Sequence, residues 1–249
     1  MAQLSPVPSS TMASTPELKL STLSANVRGL QTNVGELTHN FILKNNIDFV
    51  VTVETFLDAS VEPTFGKIPG YCHWIRRDRL GMQGGGIAVC HKENMQVQTL
   101  SVQVPRMLEM MFFRIILKDD EALLLCALYR PQWQGDAPIS FLTTHLDEIM
   151  ETHNCQNVLI VGDLNQHLVQ QAFDELSVVQ GLTNYVNFST HIRGGSLDPV
   201  LSDLPADQCW PLDYVGSSDH KAVLSQVSLT PALVLSFPKH PLFSLRNSF

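Results

Sequence analysis

The chain has 249 residues, of which 44% are hydrophobic and 16% are charged; this composition is typical of a globular protein with a sizeable core and excludes a disordered one. No stretch reaches the ~18 uncharged apolar residues that a membrane-spanning helix needs. The net charge of −8 argues against a protein that holds DNA by electrostatic attraction alone, although it leaves room for an enzyme that contacts DNA briefly.

The first predicted elements follow a leader that we expect to be disordered. Residues 1–17 are rich in Ser, Thr and Pro and poor in apolar residues, so the folded domain is expected over 18–230. LKLSTLSANV predicts a strand, and apolar residues at helical spacing predict a helix over 33–45. IDFVVTVET then runs apolar without alternation, which is typical of a strand covered on both faces.

The middle of the chain is rich in strands. GGGIAVCH, MQVQTLSV, LEMMFFRIIL and ALLLCALYR predict four of them, and a buried apolar stripe predicts a helix over 138–152. NVLIVGDLN predicts a further buried strand, followed by a short helix near 168–178 and two last strands in SLDPVLSD and AVLSQVSL. Residues 231–249 are expected to form a linker or a ragged tail. Because strands dominate and helices occur singly, the pattern favours α/β sandwich layers over a βαβ barrel.

The cysteines indicate neither a disulfide framework nor a structural zinc site, because their number is odd and no two have the CxxC spacing. We expect reduced thiols in an intracellular protein at Cys72, Cys90, Cys126, Cys155 and Cys209.

Polar residues capable of chemistry stand just after the apolar strands, where scaffolds usually present catalytic groups. They are Asn26, Glu54, Tyr129, Asp163, Asn165, Asp198, Asp219 and His220. Carboxylates, amides, a phenol and an imidazole are the groups that phosphodiester hydrolysis needs. Glu54 can offer oxygen to Mg²⁺, Asp163 can orient or deprotonate water, and Asn165 can donate to a phosphate oxygen. His220 held by Asp198 can donate to the phosphate or move a proton.

The same segments resemble the motifs of the endonuclease/exonuclease/phosphatase superfamily. GDLN (162–165) resembles the GDxN motif and SSDH (217–220) the SDH motif, and SANVRGL, VTVET, LYRP and SLDPVLS resemble the Asn, Glu, Tyr and Asp motifs, all in the family's order. The resemblance covers roughly residues 19–229. It implies an α/β (α+β) fold, a four-layer sandwich of two mixed β-sheets flanked by helices.

The resemblance also implies roles for individual residues and a Mg²⁺ cofactor, with Mn²⁺ as the alternative. Asp163, Asn165, His220, Asp198 and Tyr129 would be catalytic. Glu54 would be the main metal ligand, with Asn26 beside it and Asp219 assisting. Arg28, Arg130 and Thr190 would bind substrate.

Within the superfamily the chain most resembles the apurinic-endonuclease-like domain of non-LTR retrotransposons, on SANVRGL, QGGGIAV, ALYRP, VLIVGDLN and STHIRGGSLDPVLSD. This implies a DNA endonuclease that leaves a 3′-hydroxyl primer for reverse transcription. It also implies an intracellular, nuclear monomer that binds DNA and does not associate with a membrane. No reverse transcriptase sequence follows Pro231, so we expect a fragment of a longer parent, an excised domain or a co-opted remnant.

Other interpretations stay open at this stage. Arg28 stands where many repair-type relatives carry Asp, which weakens a repair role, and Gln166-His167 after GDLN departs from the phosphatase pattern. An inactive binding module is also compatible with the acidic charge. Three glycines at 84–86 predict a tight hairpin turn, because no Lys-Ser/Thr follows them. Two groups of basic residues could be either solvated loops or contacts to DNA. The first is Arg76, Arg77 and Arg79, and the second is His191 with Arg193.

Overall fold

The computed structural model describes residues 19–118, 120–204 and 206–234. The strands in this part of the chain are β1 (Leu20–Asn26), β2 (Phe49–Val53), β3 (Ile75–Arg77), β4 (Ile87–His91), β5 (Val97–Leu100), β6 (Glu109–Ile116), β7 (Ala122–Tyr129), β8 (Asn157–Asp163), β9 (Thr183–Asn184), β10 (Val200–Ser202), β11 (Ala206–Tyr214) and β12 (Lys221–Val227). The helices are α1 (Leu30–Glu36), which continues as a π-helical segment over Leu37–Leu43, α2 (Ala137–Thr152) and α3 (Gln170–Val179); a 3₁₀ turn covers Gln166–Leu168.

The strands form two six-stranded sheets with related layouts. The first sheet has the order β11-β12-β1-β2-β4-β3 and the second β5-β6-β7-β8-β10-β9. Each sheet has one parallel pair at its centre, β1 with β2 and β7 with β8, and its other pairings are antiparallel. Both sheets are therefore mixed, as the sequence predicts.

Apolar side chains fill three spaces between four layers. Val51 of β2 and Leu125 of β7 point into the space between the sheets. Val50, one residue earlier, packs on the other face of the first sheet with α1 and the π-helical segment, and Leu124 packs on the outer face of the second sheet with α2 and α3. This alternation explains the continuous apolar runs in the sequence, because both faces of the central strands are covered. The predicted four-layer sandwich is confirmed.

The two parallel pairs end side by side at one edge of the sandwich. Asn26 is opposite Val53 at the ends of β1 and β2, and Tyr129 is opposite Asp163 at the ends of β7 and β8. Gly162 makes the second pairing close: its φ is +137°, and a Cβ there would lie 1.9 Å from the Leu128 carbonyl oxygen. The residues that follow these strands therefore face a common edge.

Element boundaries differ from the sequence expectations where turn geometry decides. The first helix starts at Leu30 rather than at residue 33, after Gly29 with φ +110°. The predicted strand SLDPVLSD shortens to β10. Three strands were not expected: β3, β9 and β11, which are short or lie at sheet edges.

The chain beyond the expected domain end continues along the second sheet. The N–H of Ala232 donates to the carbonyl of Ile116 over 2.8 Å, and the N–H of Val234 donates to that of Asn94 over 2.7 Å. The expected leader at 1–17 and the remainder of the expected tail, 235–249, lie outside the described residues. No helix in the described ranges combines the length and apolar character of a membrane span. All five cysteines are free thiols.

Candidate active site

Asp163 lies at the centre of a polar network at the end of β8. Its carboxylate is 1% exposed. One oxygen accepts a hydrogen bond from Asn26 Nδ2 over 2.9 Å, and the other accepts one from the backbone N–H of Asn165 over 3.2 Å. Burial raises the pKa of Asp163 well above its ordinary value, and the neighbouring charge of Asp198 raises it further. The hydrogen bond from Asn26 to Asp163 joins the two sheets, since Asn26 belongs to β1 and Asp163 to β8.

His220 is held by Asp198 and points its other ring nitrogen at Asp163. Nδ1 lies 2.9 Å from Asp198 Oδ2, whereas Nε2 lies 3.9 Å from both Asp163 Oδ2 and Asp219 Oδ1. Burial lowers the pKa of the imidazole, but the hydrogen bond to Asp198 and the three carboxylate charges outweigh it and raise the pKa of His220 to about 9. The ring is therefore an imidazolium at neutral pH, with Nε2–H available to the site.

Ser218 fixes the loop that carries His220 and was not singled out by the sequence reasoning. Its hydroxyl donates to the carbonyl of Asn26 over 2.7 Å and accepts from the backbone N–H of His220 over 3.1 Å. The sequence signal was present, because Ser218 is part of the SSDH segment.

Glu54 joins the network through Tyr129 and Arg28. The Tyr129 hydroxyl donates to Glu54 Oε1 over 2.7 Å, and burial together with the Glu54 charge raises the pKa of Tyr129, so the phenol stays protonated. Arg28 lies between two carboxylates, with Nη1 at 2.8 Å from Asp219 Oδ2 and Nε at 3.9 Å from Glu54 Oε2. Side chains from both sheets thus converge on one site.

Three residues of the site have backbone conformations that L-residues rarely adopt. The φ angles are +41° at Arg28, +52° at Glu54 and +45° at Asn165. Such conformations cost on the order of 1–3 kcal/mol each and persist where the surroundings impose them. The turns after β1, β2 and β8 are therefore shaped for the placement of their side chains.

Asn165 is anchored in the turn after β8. Its Nδ2 donates to the carbonyl of Arg130 over 3.0 Å, while its buried Oδ1 has no hydrogen-bond partner. Arg130 in turn is fully buried and donates to the carbonyls of Leu164 over 2.6 Å and Asn165 over 2.7 Å, and also to Gln134. Its guanidinium thus holds the turn that presents Asp163 and is directed at backbone instead of solvent.

Thr190 has a similar backbone-directed position. It is fully buried, and its hydroxyl oxygen accepts from the N–H groups of Leu197 over 2.8 Å and Asp198 over 3.3 Å. The carbonyl of Thr190 accepts from Lys221. The residue therefore ties the Asp198 loop to the start of β12.

His191 lies at the edge of the site. Its Nε2 is 3.3 Å from Asp219 Oδ2, and its ring meets the ring of His220 edge-on at 4.9 Å. Of the three arginines at 76–79, Arg76 pairs with Asp78 over 2.5 Å. Arg79 pairs with Glu109 over 2.6 Å and lies over the Tyr129 ring, 5.5 Å from its centroid.

Two sets of side chains in the described residues could hold a metal ion: His191, Asp219 and His220, and Asp163, Asp198 and His220. Neither set includes Glu54, although Arg28 contacts both Glu54 and Asp219. The surplus of carboxylate oxygen and the partnerless Oδ1 atoms of Asn165 and Asp198 fit a hard, oxygen-binding cation.

No protein-family model matches this chain, and no curated protein matches it. Several solved structures share its fold. An AP endonuclease from Leishmania major superposes with a TM-score of 0.66 at 16% identity, covering 86% of this chain and 89% of that one. The endonuclease domain of TRAS1, a telomere-specific non-LTR retrotransposon, gives 0.66 at 13% identity, covering 84% and 98%. A 3′ phosphatase from Neisseria, bound to a product DNA hairpin, gives 0.62 at 15% identity, covering 83% and 98%. The fold predicted from the motifs is confirmed.

Proposed function

We propose that this protein is a divalent-cation-dependent DNA endonuclease that leaves 3′-hydroxyl and 5′-phosphate ends. The observation that carries the proposal is the convergence of Asp163, the His220–Asp198 pair, Asn26 and the Glu54–Tyr129 pair on one edge of the sandwich. These groups come from both sheets, and packing of an ordinary core requires none of them. The shared fold of an AP endonuclease and of a retrotransposon endonuclease domain supports the same reaction class.

The metal ligands in this proposal are Glu54, Asn26 and Asp219, and Mg²⁺ is the expected ion, with Mn²⁺ able to replace it. All three side chains offer oxygen, which Mg²⁺ prefers. A bound cation supplies positive charge to the phosphate oxygens as charge develops in the transition state. Arg28 contacts both Glu54 and Asp219, so a cation held by these two carboxylates would compete with its guanidinium. We propose that the released guanidinium would contact the substrate phosphate.

Asp163 and His220 have complementary roles in the bond exchange. Asp163 accepts a proton from water as the water oxygen bonds to phosphorus and the bond from phosphorus to O3′ breaks; the departing O3′ takes up a proton from solvent. The imidazolium of His220 donates a hydrogen bond from Nε2–H to a non-bridging phosphate oxygen, and one such donor contributes about 10²–10³ in rate. Tyr129 and Asn165 position the phosphate, and Arg130 and Thr190 hold the two loops that carry Asp163 and Asp198.

DNA is the proposed substrate, and target nicking for a reverse transcriptase the proposed context. The motif resemblance to non-LTR retrotransposon endonucleases and the shared fold of the TRAS1 domain support this assignment. We infer a nuclear site of action, since the target would be chromosomal DNA, and a monomeric domain. The net charge of −8 agrees with brief DNA contact, because tight salt-dependent binding requires many Lys and Arg contacts to phosphates.

Nicking of supercoiled plasmid with Mg²⁺ tests the proposal. We expect Asp163→Asn and His220→Gln each to reduce nicking about 100-fold or more, because the first removes the proton acceptor and the second a charged hydrogen-bond donor to the phosphate. Asp147→Asn and His39→Gln, both exposed on helices, should nick like the native protein. Equal nicking by all five proteins contradicts the proposal.

The chemistry of the ends provides a second test. Nicked product should support extension by a DNA polymerase without prior phosphatase treatment. Extension only after phosphatase treatment would indicate 3′-phosphate ends and the opposite leaving group. Calorimetric titration with Mn²⁺ separates an enzyme from an inactive module, because a chain that takes up no cation cannot work as proposed.

A further inference from the structure

A small cavity lies beside the candidate active site and is not used by the proposed mechanism. Its volume is about 270 Å³, and its lining includes Arg77, Arg79, Met82, Arg106, Met107 and Trp133. Ligand pockets for drug-sized molecules measure about 300–1,000 Å³, so this cavity suits a single ring system better than a larger ligand.

The cavity adjoins the catalytic residues through Arg79. The Arg79 guanidinium carbon lies 5.5 Å from the centroid of the Tyr129 ring and 6.0 Å from that of the Trp133 ring. The Tyr129 hydroxyl donates a hydrogen bond to Glu54. A molecule bound against Trp133 therefore lies one side chain away from the group that would hold the scissile phosphate.

Apolar side chains stand exposed at the mouth of the cavity. Trp133 is 56% exposed, Met82 49%, Met107 60% and Leu80 69%. Large apolar groups gathered around a concave surface are typical of binding sites. An exposed indole offers a flat stacking surface, and stacking of a base on an aromatic side chain contributes about 1–3 kcal/mol.

The charge of the lining favours a phosphate-linked ligand although the chain as a whole is acidic. Asp78 is paired with Arg76 and Glu109 with Arg79. Arg77 donates to the carbonyls of Leu108 and Met110. Arg77 also lies in the field of Glu109. Arg106 is exposed and has no ion pair with a carboxylate among the described residues, so it is the cation of the lining that can meet a phosphate.

The glycine turn at 84–86 holds the floor of the cavity in place. A Cβ on Gly85 would lie 2.2 Å from the Arg79 guanidinium and would displace it, and the φ of +68° also favours glycine at this position. Glu109 accepts the N–H of Gly86 over 2.6 Å as well as the ion pair from Arg79. The cavity is therefore preformed, which lowers the entropic cost of binding.

We propose that this cavity binds one unstacked nucleobase of the substrate strand, next to the cleaved phosphate, with the base stacked on Trp133 and the backbone near Arg106. The proposal rests on the proposed function, since it assigns a specificity site to the same nuclease. A preference for target sites whose bases unstack easily follows from it.

Oligonucleotide binding in EDTA tests the cavity without requiring cleavage. Fluorescence anisotropy with short single strands should show Trp133→Ala binding about 5- to 150-fold more weakly, which is 1–3 kcal/mol expressed as a ratio. Trp133→Phe, which keeps an aromatic face, should retain most of the affinity. Val178→Ala, on the exposed surface of α3, should bind like the native protein.

A scan with single abasic analogues then tests the base itself. One position should exist where removal of the base weakens the native protein but does not weaken Trp133→Ala further. If Trp133→Ala matches the native protein on every oligonucleotide, or the native protein binds none, the cavity proposal is overturned. If the protein nicks plasmid but shows no Trp133-dependent base binding, only the cavity proposal is rejected. If it shows Trp133-dependent base binding but does not nick plasmid, only the nuclease assignment is rejected.

Discussion

Replacement of Gly162 by alanine should separate the central strands of the second sheet. A Cβ at this position lies 1.9 Å from the carbonyl oxygen of Leu128, whereas real Cβ contacts below 3.0 Å are essentially never seen. The clash is with backbone in the parallel β7–β8 pair, so no side-chain rotation relieves it. The φ of +137° adds strain for any L-residue.

The expected loss of stability is about 4 kcal/mol or more. It combines backbone strain of roughly 1–3 kcal/mol with the weakening of ladder hydrogen bonds worth about 1 kcal/mol each and with disturbed packing of Leu128, the residue opposite Gly162. For a domain of this size the loss corresponds to a fall in Tm of roughly 8–16 °C. Asp163 follows immediately, so nicking should fall even at temperatures where the variant is folded.

Urea denaturation followed by circular dichroism measures the effect. Gly35→Ala is the matched control, because Gly35 lies exposed in α1 with no atom within 4 Å of an added Cβ. Alanine in a helix interior is favoured over glycine by roughly 0.5–1 kcal/mol, so this variant should equal or exceed the native stability. A Gly162→Ala protein within 1 kcal/mol of native would refute the argument from strand approach.

Three further predictions concern the polar network. In EDTA, protonated His220 stabilises the fold fully below its unfolded pKa, and this stabilisation is lost as the pH rises through about 9. The difference in unfolding free energy between the native protein and His220→Gln should therefore shrink by up to about 3 kcal/mol from pH 6.5 upward. A difference that does not change with pH would contradict this prediction. Arg28→Gln should bind Mn²⁺ roughly 3- to 10-fold more tightly by calorimetry, because the Glu54 and Asp219 carboxylates lose a competing cation worth about 1 kcal/mol. Arg193→Gln, which makes the same change of charge on an exposed loop, is the control. Equal Mn²⁺ affinities of the two variants would show that Arg28 does not compete. Thr190→Val should lower the free energy of unfolding, measured by urea denaturation, by about 1–3 kcal/mol, because the N–H of Asp198 loses its acceptor. Thr190→Ser keeps the hydroxyl and should lower it less. The reverse order would mean that packing of the Thr190 methyl group dominates.

Much of the fold could be predicted because its central strands are covered on both faces. Long apolar runs such as NVLIV and ALLLCAL identify β8 and β7, and helical spacing identifies α2. The edges could not be predicted in the same way. β11 contains Pro211, which an edge strand tolerates, and its irregular register against β12 removes the alternation that identifies a strand. β3 consists of a half-buried Ile-Arg-Arg segment that has the composition of a loop.

The candidate site shows the same division between local and long-range information. Residues that follow apolar strands, such as Asp163 and Glu54, could be picked out because the strand end itself marks them. Their assembly with Asn26, Asp198 and His220 depends on pairings between distant segments, which one sequence does not encode visibly. Arg79 is a clear case: it lies in the loop after β3, and its partners are Glu109 on β6 and Tyr129 on β7, so nothing near it in the sequence indicates its position.

The pairing of β1 with both β2 and β12 has a consequence for how the molecule is made. β1 occupies the middle of its sheet, yet one of its two neighbours is the last strand of the fold, and the hydrogen bond from Ser218 to Asn26 spans 192 positions. Closing so long a loop is slow relative to local contacts. A chain truncated before Ser218 therefore leaves β1 without one of its two neighbours and the polar network without His220, so the network is complete only after β12 has paired with β1.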